Sequence, residues 1–203
     1  MKTNPDQSKC RRSLRPALGC GLWLLALGAH GQVTIGAPPP AVPGETCQLS
    51  LSEPDIDYGG LTRGRMQEHG AQAYSLGKRR LMLNVNCRTP VRIGIRLQAP
   101  AAGQDYAFGS LGRVGVRLER AQLDGHSVMV GTADTPGTLP AAYGPSAPLT
   151  PGRVVVPVQG GGLVTGSRFS ANIEVDPFLP QDAARVRNRT PFETNGTFEV
   201  IWE

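Results

Sequence analysis

The sequence predicts an all-β sandwich with Greek-key connections and no second domain, on three observations. Short runs alternate apolar and polar residues at a period of two, with turn residues between them. No stretch has a convincing helical period. The 203 residues, less an N-terminal export segment, leave about 172, the size of one sandwich domain.

The chain opens with Lys2, Lys9, Arg11, Arg12 and Arg15, continues with the apolar run Ala17 to Leu27, and then reaches the small residues around Ala29-His30-Gly31. Basic, apolar, then small is the order of a secretory signal peptide, expected over residues 1–31. The apolar run is well short of the roughly 20 residues that span a bilayer, which argues against a membrane anchor. A lipoprotein site at Cys20 is excluded by order, because the apolar run follows that cysteine.

Five of the 21 Lys and Arg lie in this segment, and one of the 16 Asp and Glu, so the remainder carries 16 basic against 15 acidic residues. The high isoelectric point therefore belongs mostly to the signal. It gives no reason to expect nucleic acid as a partner, which would need a basic patch on the folded domain.

Residues 32–46 form a short arm in which Val33 and Ile35 alternate before Pro38, Pro39, Pro40 and Pro43. Prolines lack an amide hydrogen and favour extended backbone, so the arm reads as exposed chain whose first residues alone can pair. Cys10 and Cys20 leave with the signal, and Cys47 and Cys87 remain as an even pair in a chain bound for an oxidising compartment, where one disulfide is expected. For a two-cysteine metal site, the alternative, neither has a Cys or His neighbour at ligand spacing.

The domain, 47–203, follows as alternating runs. Cys47, Leu49 and Leu51 face one way, as do Leu81, Leu83, Val85 and Cys87, which puts both cysteines on apolar faces. After a break at Thr89-Pro90, the run Val91 to Leu97 alternates cleanly. Val114, Val116 and Leu118 open the next strand, and Leu123-Asp124-Gly125-His126 reads as a hairpin turn leading to Val128-Met129-Val130. Residues 131–152, rich in Gly, Pro, Ala and Thr, read as a long surface loop carrying Tyr143. Val154 to Val158 reads as an edge strand because of Pro157. Phe169, Ala171, Ile173 and Val175 form another face, followed by a looser region with Pro177 and Pro180.

The terminal run Gly196 to Glu203 is a strand with Phe198, Val200 and Trp202 on one face and Glu199 and Ile201 on the other. Its free edge needs a partner, since unpaired backbone beside apolar side chains templates aggregation.

Catalysis finds little support. After the signal only His69 and His126 remain as histidine bases, and no nucleophile elbow, zinc-protease or paired-cysteine redox motif occurs. The expectation is a non-enzyme with no cofactor and no metal.

The signal and arm, Cys47 and Cys87 about 40 apart, the Leu81 to Cys87 strand followed by Thr89-Pro90, and the ending Gly196 to Trp202 together resemble the subunits of bacterial chaperone-usher pili, or fimbriae. Asp57-Tyr58-Gly59 and Tyr106-Ala107-Phe108-Gly109 are similar to a less-studied fimbrial-type branch. Trp202 stands where the family's penultimate aromatic is usually tyrosine. The resemblance implies an incomplete immunoglobulin-like sandwich lacking its seventh and last strand, with Phe198, Val200 and Trp202 lining the vacant groove. It implies export through the periplasm to a cell-surface fimbrium, with a periplasmic chaperone, an outer-membrane usher and neighbouring subunits as partners. By it, Val33 and Ile35 are the donor-strand residues that enter a neighbour, in assembly by donor-strand complementation. Pro38 to Pro40 interrupt the arm sooner than the family's donor strands are interrupted. The alternative is a single-domain tip or minor adhesin binding a glycan or protein host receptor.

Overall fold

The computed structural model describes residues 30–36, 46–60, 64, 66–69, 72–182 and 192–203. The expected signal lies outside these residues except for His30 and Gly31, and so does the proline run of the arm. The described residues are all-β, with almost no helix, in a mixed open sheet.

From the N-terminus the strands are β1 (His30–Gly36), β2 (Cys47–Leu51), β3 (Asp55–Gly60), β4 (Gln67–His69) and β5 (Ala73–Ser75). The long β6 (Arg79–Gln98) is followed by β7 (Ala101–Ala102), β8 (Asp105–Phe108) and β9 (Gly112–Leu123). A two-residue hairpin joins β9 to β10 (His126–Ser127). Its central residues Asp124 and Gly125 both have positive φ, 49° and 85°, which matches the twist of the flanking strands. Then come β11 (Met129–Ala133), β12 (Ser146–Leu149), β13 (Val154–Gln159), β14 (Gly162–Leu163), β15 (Thr165–Pro180) and β16 (Phe192–Trp202).

Everything is arranged about β6. Its first half lies between β15 and β2, and its second half lies between β16 and β13. The expected break at Thr89-Pro90 is therefore corrected: the strand runs through it and changes neighbours there. β15 shifts register between Gly166 and Arg168 as it passes this stretch, so Pro90 sits where no ladder pair requires its missing N–H. Cys47 pairs with Cys87 in the β2–β6 ladder and the two are joined by a disulfide.

Three further expectations are corrected. Val154 to Val158 is not an edge strand; β13 lies between β11 and β6 and is buried along both faces. Pro157 is tolerated because its partner Val130 turns its N–H and C=O outward to Gly144, so this pair exchanges no backbone bonds. Second, residues 131–152 are not one long surface loop. They include the end of β11 and all of β12, and the segment between them folds over the outer face of β6, with Pro136 close above Gly94. A Cβ at Gly131 would lie 2.5 Å from the Pro140 Cγ, so this covering needs a glycine there. Third, β15 continues through Pro177 to Pro180, paired with β9 and β5, where looser chain was expected.

The main core joins apolar residues of most strands, including Leu83, Ile95, Leu118, Phe169, Ile173 and Phe198. Tyr58, Tyr106 and Phe108 belong to it. Burial raises the pKa of both tyrosine hydroxyls, chiefly by desolvating the phenolate. Their polar tips find backbone acceptors: Tyr58 donates to the Val175 carbonyl at 3.4 Å and Tyr106 to that of Leu97 at 3.2 Å. A second small cluster, Ala133, Val154 and Val156, covers the outer side of Ile201.

Candidate docking edge along the terminal strand

The terminal strand begins earlier than its sequence suggests. β16 runs back from Gly196 to Phe192, and Phe192, Thr194 and Phe198 are all buried on its inner side. Phe192 meets Phe108 with ring centroids 5.8 Å apart. The signal was available as a period of two shared by positions 192, 194 and 198, but Gly196 interrupts the apolar run. Close packing explains that glycine: a Cβ there would lie 3.0 Å from the Leu97 Cδ1 and 3.1 Å from the Ala99 Cβ.

Two neighbours divide the strand between them. On one edge, Thr197 to Trp202 pair antiparallel with β6, and backbone bonds between Arg92 and Glu203 extend this ladder to the last residue. On the other edge, Phe192 to Thr197 pair parallel with β1, so the first part of the arm lies against the chain's own terminal strand. Of the run Gly196 to Glu203, whose free edge was expected to need a partner, β1 pairs only Gly196 and Thr197. Among the described residues, the edge from Phe198 to Trp202 on the β1 side has none.

The expected groove residues separate on inspection. Phe198 is buried, Val200 is half-buried against the core, and Trp202 is 38% exposed at the strand's end. Val33 is buried opposite Thr194, and Ile35 is paired with Gly196 through the backbone. On the outer face, Glu199 accepts hydrogen bonds from Arg96 at 2.8 and 3.2 Å, which ties β16 to β6.

Beneath β1 the packing is incomplete. A cavity of about 10 Å³ is lined by residues that include Val33, Leu97, Tyr106, Val116 and Thr194. The Thr194 Oγ1 is buried without a hydrogen-bond partner among the described residues. Sequence reasoning passed over Thr194, because a threonine at a strand position is ordinary.

Two other features lie away from this edge. On β15, the Glu174 carboxylate is gripped by Lys78 and Arg80, each at 2.7 Å, and Arg80 also reaches Glu119 at 2.9 Å. The Lys78 hydrogen bond leads the effects that hold Glu174 below its ordinary pKa. Where β6 changes neighbours, an open cleft of about 410 Å³ is bordered by Arg92, Asp124, His126, Gln159 and Thr165. The Asp124 carboxylate accepts from the backbone N–H groups of Ser167 and Arg168, which fixes that side.

Compared with known proteins, the chain matches no family model and no curated protein. The functional reading therefore rests on residues and geometry.

Proposed function

We propose that this chain is a structural subunit of a chaperone-usher type pilus, built on an immunoglobulin-like sandwich with Greek-key connections whose own strands leave one position to be filled. The observation that carries the reading is the parallel ladder of β1 against β16. An edge that takes the arm of its own chain has the backbone geometry to take a strand from another, and backbone pairing with alternate side chains in a groove is the physics of β-augmentation. The disulfide between β2 and β6 agrees with export to an oxidising compartment. A periplasmic chaperone, an outer-membrane usher and neighbouring subunits are the partners this implies.

The test is co-purification from the periplasm with a candidate chaperone. The expected result is capture of the soluble chain, lost when Phe198 to Glu203 are deleted. Capture that survives the deletion would overturn the reading.

The open cleft at Arg92 and His126 favours a second reading, a single-domain adhesin whose receptor is a glycan or a protein. Its polar rim over Leu163 suits a small polar ligand better than a strand. Tyr143, 47% exposed, lies outside that cleft's lining.

A further inference from the structure

We infer that the open cleft where β6 changes neighbours binds a uronic acid, a sugar whose carboxylate is held by Arg92 and whose hydroxyls are held by Asp124 and Gln159. The inference rests on the second reading above, that this cleft takes a small polar ligand, and adds the chemistry of that ligand. It does not depend on the terminal strand's edge.

The rims of the cleft are two hairpins of one kind. In the first, Leu123 pairs with His126 around Asp124 and Gly125. In the second, Gln159 pairs with Gly162 around Gly160 and Gly161, whose φ values of 59° and 81° repeat the same tight two-residue turn. His126 and Gln159 therefore stand at the feet of short, fixed turns, and less ordering is needed when a ligand arrives. The space of about 410 Å³ between them falls within the roughly 300–1,000 Å³ of small-molecule sites, with half-buried Leu163 as an apolar surface.

The cation in the cleft is uncommitted. Among the described residues that line it, Arg92 is the one Arg or Lys. Its backbone pairs with Thr165 in the ladder to β15 and exchanges hydrogen bonds of 3.0 and 3.2 Å with Glu203, which fixes the root of the side chain. The Glu203 carboxylate, which would neutralise it, lies against Gly137 instead. Arg80, Arg96 and Arg153 are each in an ion pair, and Arg92 is in none among the described residues. A free guanidinium at a cleft is a fork for a carboxylate. A phosphate monoester carries nearly twice the charge and calls for several cations.

The acceptor facing it is fixed as well. Asp124 Oδ1 accepts from the backbone N–H groups of Ser167 and Arg168 at 3.1 and 2.8 Å, so its charge is shared with the backbone. Gly166 permits this approach, since a Cβ there would lie 2.5 Å from the Leu123 Cδ1 and 2.9 Å from the Asp124 Oδ2. Oδ2 takes only a longer contact from Ser167, at 3.3 Å, and keeps a lone pair for a hydroxyl donor. The exposed Gln159 amide both donates and accepts, as a second hydroxyl requires. One fork, one fixed acceptor and one amide beside an apolar surface match a pyranose with a single carboxylate.

The experiment follows the amide NMR signals of the isotope-labelled exported chain during three titrations. Glucuronate is the probe, glucose replaces its carboxylate by a hydroxymethyl group, and acetate carries the charge alone. Glucuronate should give saturable shifts at residues 124–126 and 159–165, with an affinity about tenfold above that of glucose or acetate. Arg92→Gln should bring glucuronate down to the affinity of glucose and leave glucose unchanged. Gln159→Ala should weaken both sugars and leave acetate unchanged. Both variants replace exposed side chains and should keep the wild-type unfolding midpoint. Wild-type affinity for glucuronate in Arg92→Gln, or equal affinity of the wild-type chain for glucuronate and glucose, would overturn the acidic ligand and leave a small-ligand site. Equal affinity for glucuronate and acetate would overturn the sugar and leave an anion site. Saturable shifts confined to other residues, or none with any probe, would overturn the inference and remove the support this cleft gives to the second reading.

Discussion

Val33 and Thr194 lie opposite each other in the parallel ladder between β1 and β16, both buried, with the Thr194 hydroxyl unpaired among the described residues beside a small cavity. At that pair the packing between β1 and β16 is close but incomplete.

Thr194→Val should therefore stabilise the chain, because it removes an unsatisfied buried hydroxyl while keeping the side chain's shape. The expected gain is about 1–2 kcal/mol, read as a higher midpoint in urea at unchanged slope. Val33→Ile, which extends into the cavity, should give a smaller gain. A loss in Thr194→Val would mean that the hydroxyl has a partner in solution.

The three apolar residues at the end of β16 should differ in their effects on stability. Phe198→Ala empties a fully buried site and should cost roughly 3–5 kcal/mol. Trp202→Ala, at the exposed end, should cost much less stability. If an incoming strand covers the open half of the edge, Trp202→Ala should still weaken chaperone capture in the periplasm. Capture equal to wild type by a soluble Trp202→Ala chain would place the contact elsewhere.

Arg96 and Glu199 bridge β6 and β16 on the outer face, and both are about one-third exposed. A double-mutant cycle with alanine at each position should give a coupling of about 0.2–1 kcal/mol, screened by salt, as for other solvent-accessible pairs. Glu199→Ala should leave chaperone capture unchanged.

Loss of the disulfide through Cys47→Ser should cost on the order of 2–5 kcal/mol and lower the yield of exported protein. Mass mapping without reduction should recover Cys47 and Cys87 joined.

Acid should weaken the fold through Glu174. Its folded pKa is depressed, first by the Lys78 hydrogen bond, so its contribution is present above the unfolded carboxylate value and is lost as pH falls through the folded one. Thermal unfolding midpoints of wild type and Glu174→Gln should differ at pH 7 and converge in acid as Glu174 becomes protonated in the folded chain. A constant difference across that range would assign the effect to packing.

By itself the sequence determined the all-β class, the inward parity of Cys47 and Cys87, the Asp124-Gly125 turn and the inward parity of Phe198 and Val200. These follow from period-two alternation and local turn chemistry, which a chain carries without its neighbours. Only the tertiary structure decided how proline is tolerated. Pro90 falls where β6 exchanges one set of neighbours for another, and Pro157 falls in a pair that exchanges no backbone bonds, so both sit inside continuous strands. It likewise decided that β9 reverses its inward parity between Leu118 and Ala121, where Arg120 adopts a φ of 53° beside a register shift. Burial of Tyr58, Tyr106 and Phe108 and the place of Val33 against Thr194 belong to the same class. A ladder partner is chosen by long-range packing, and no local pattern in the arm states which edge it will meet.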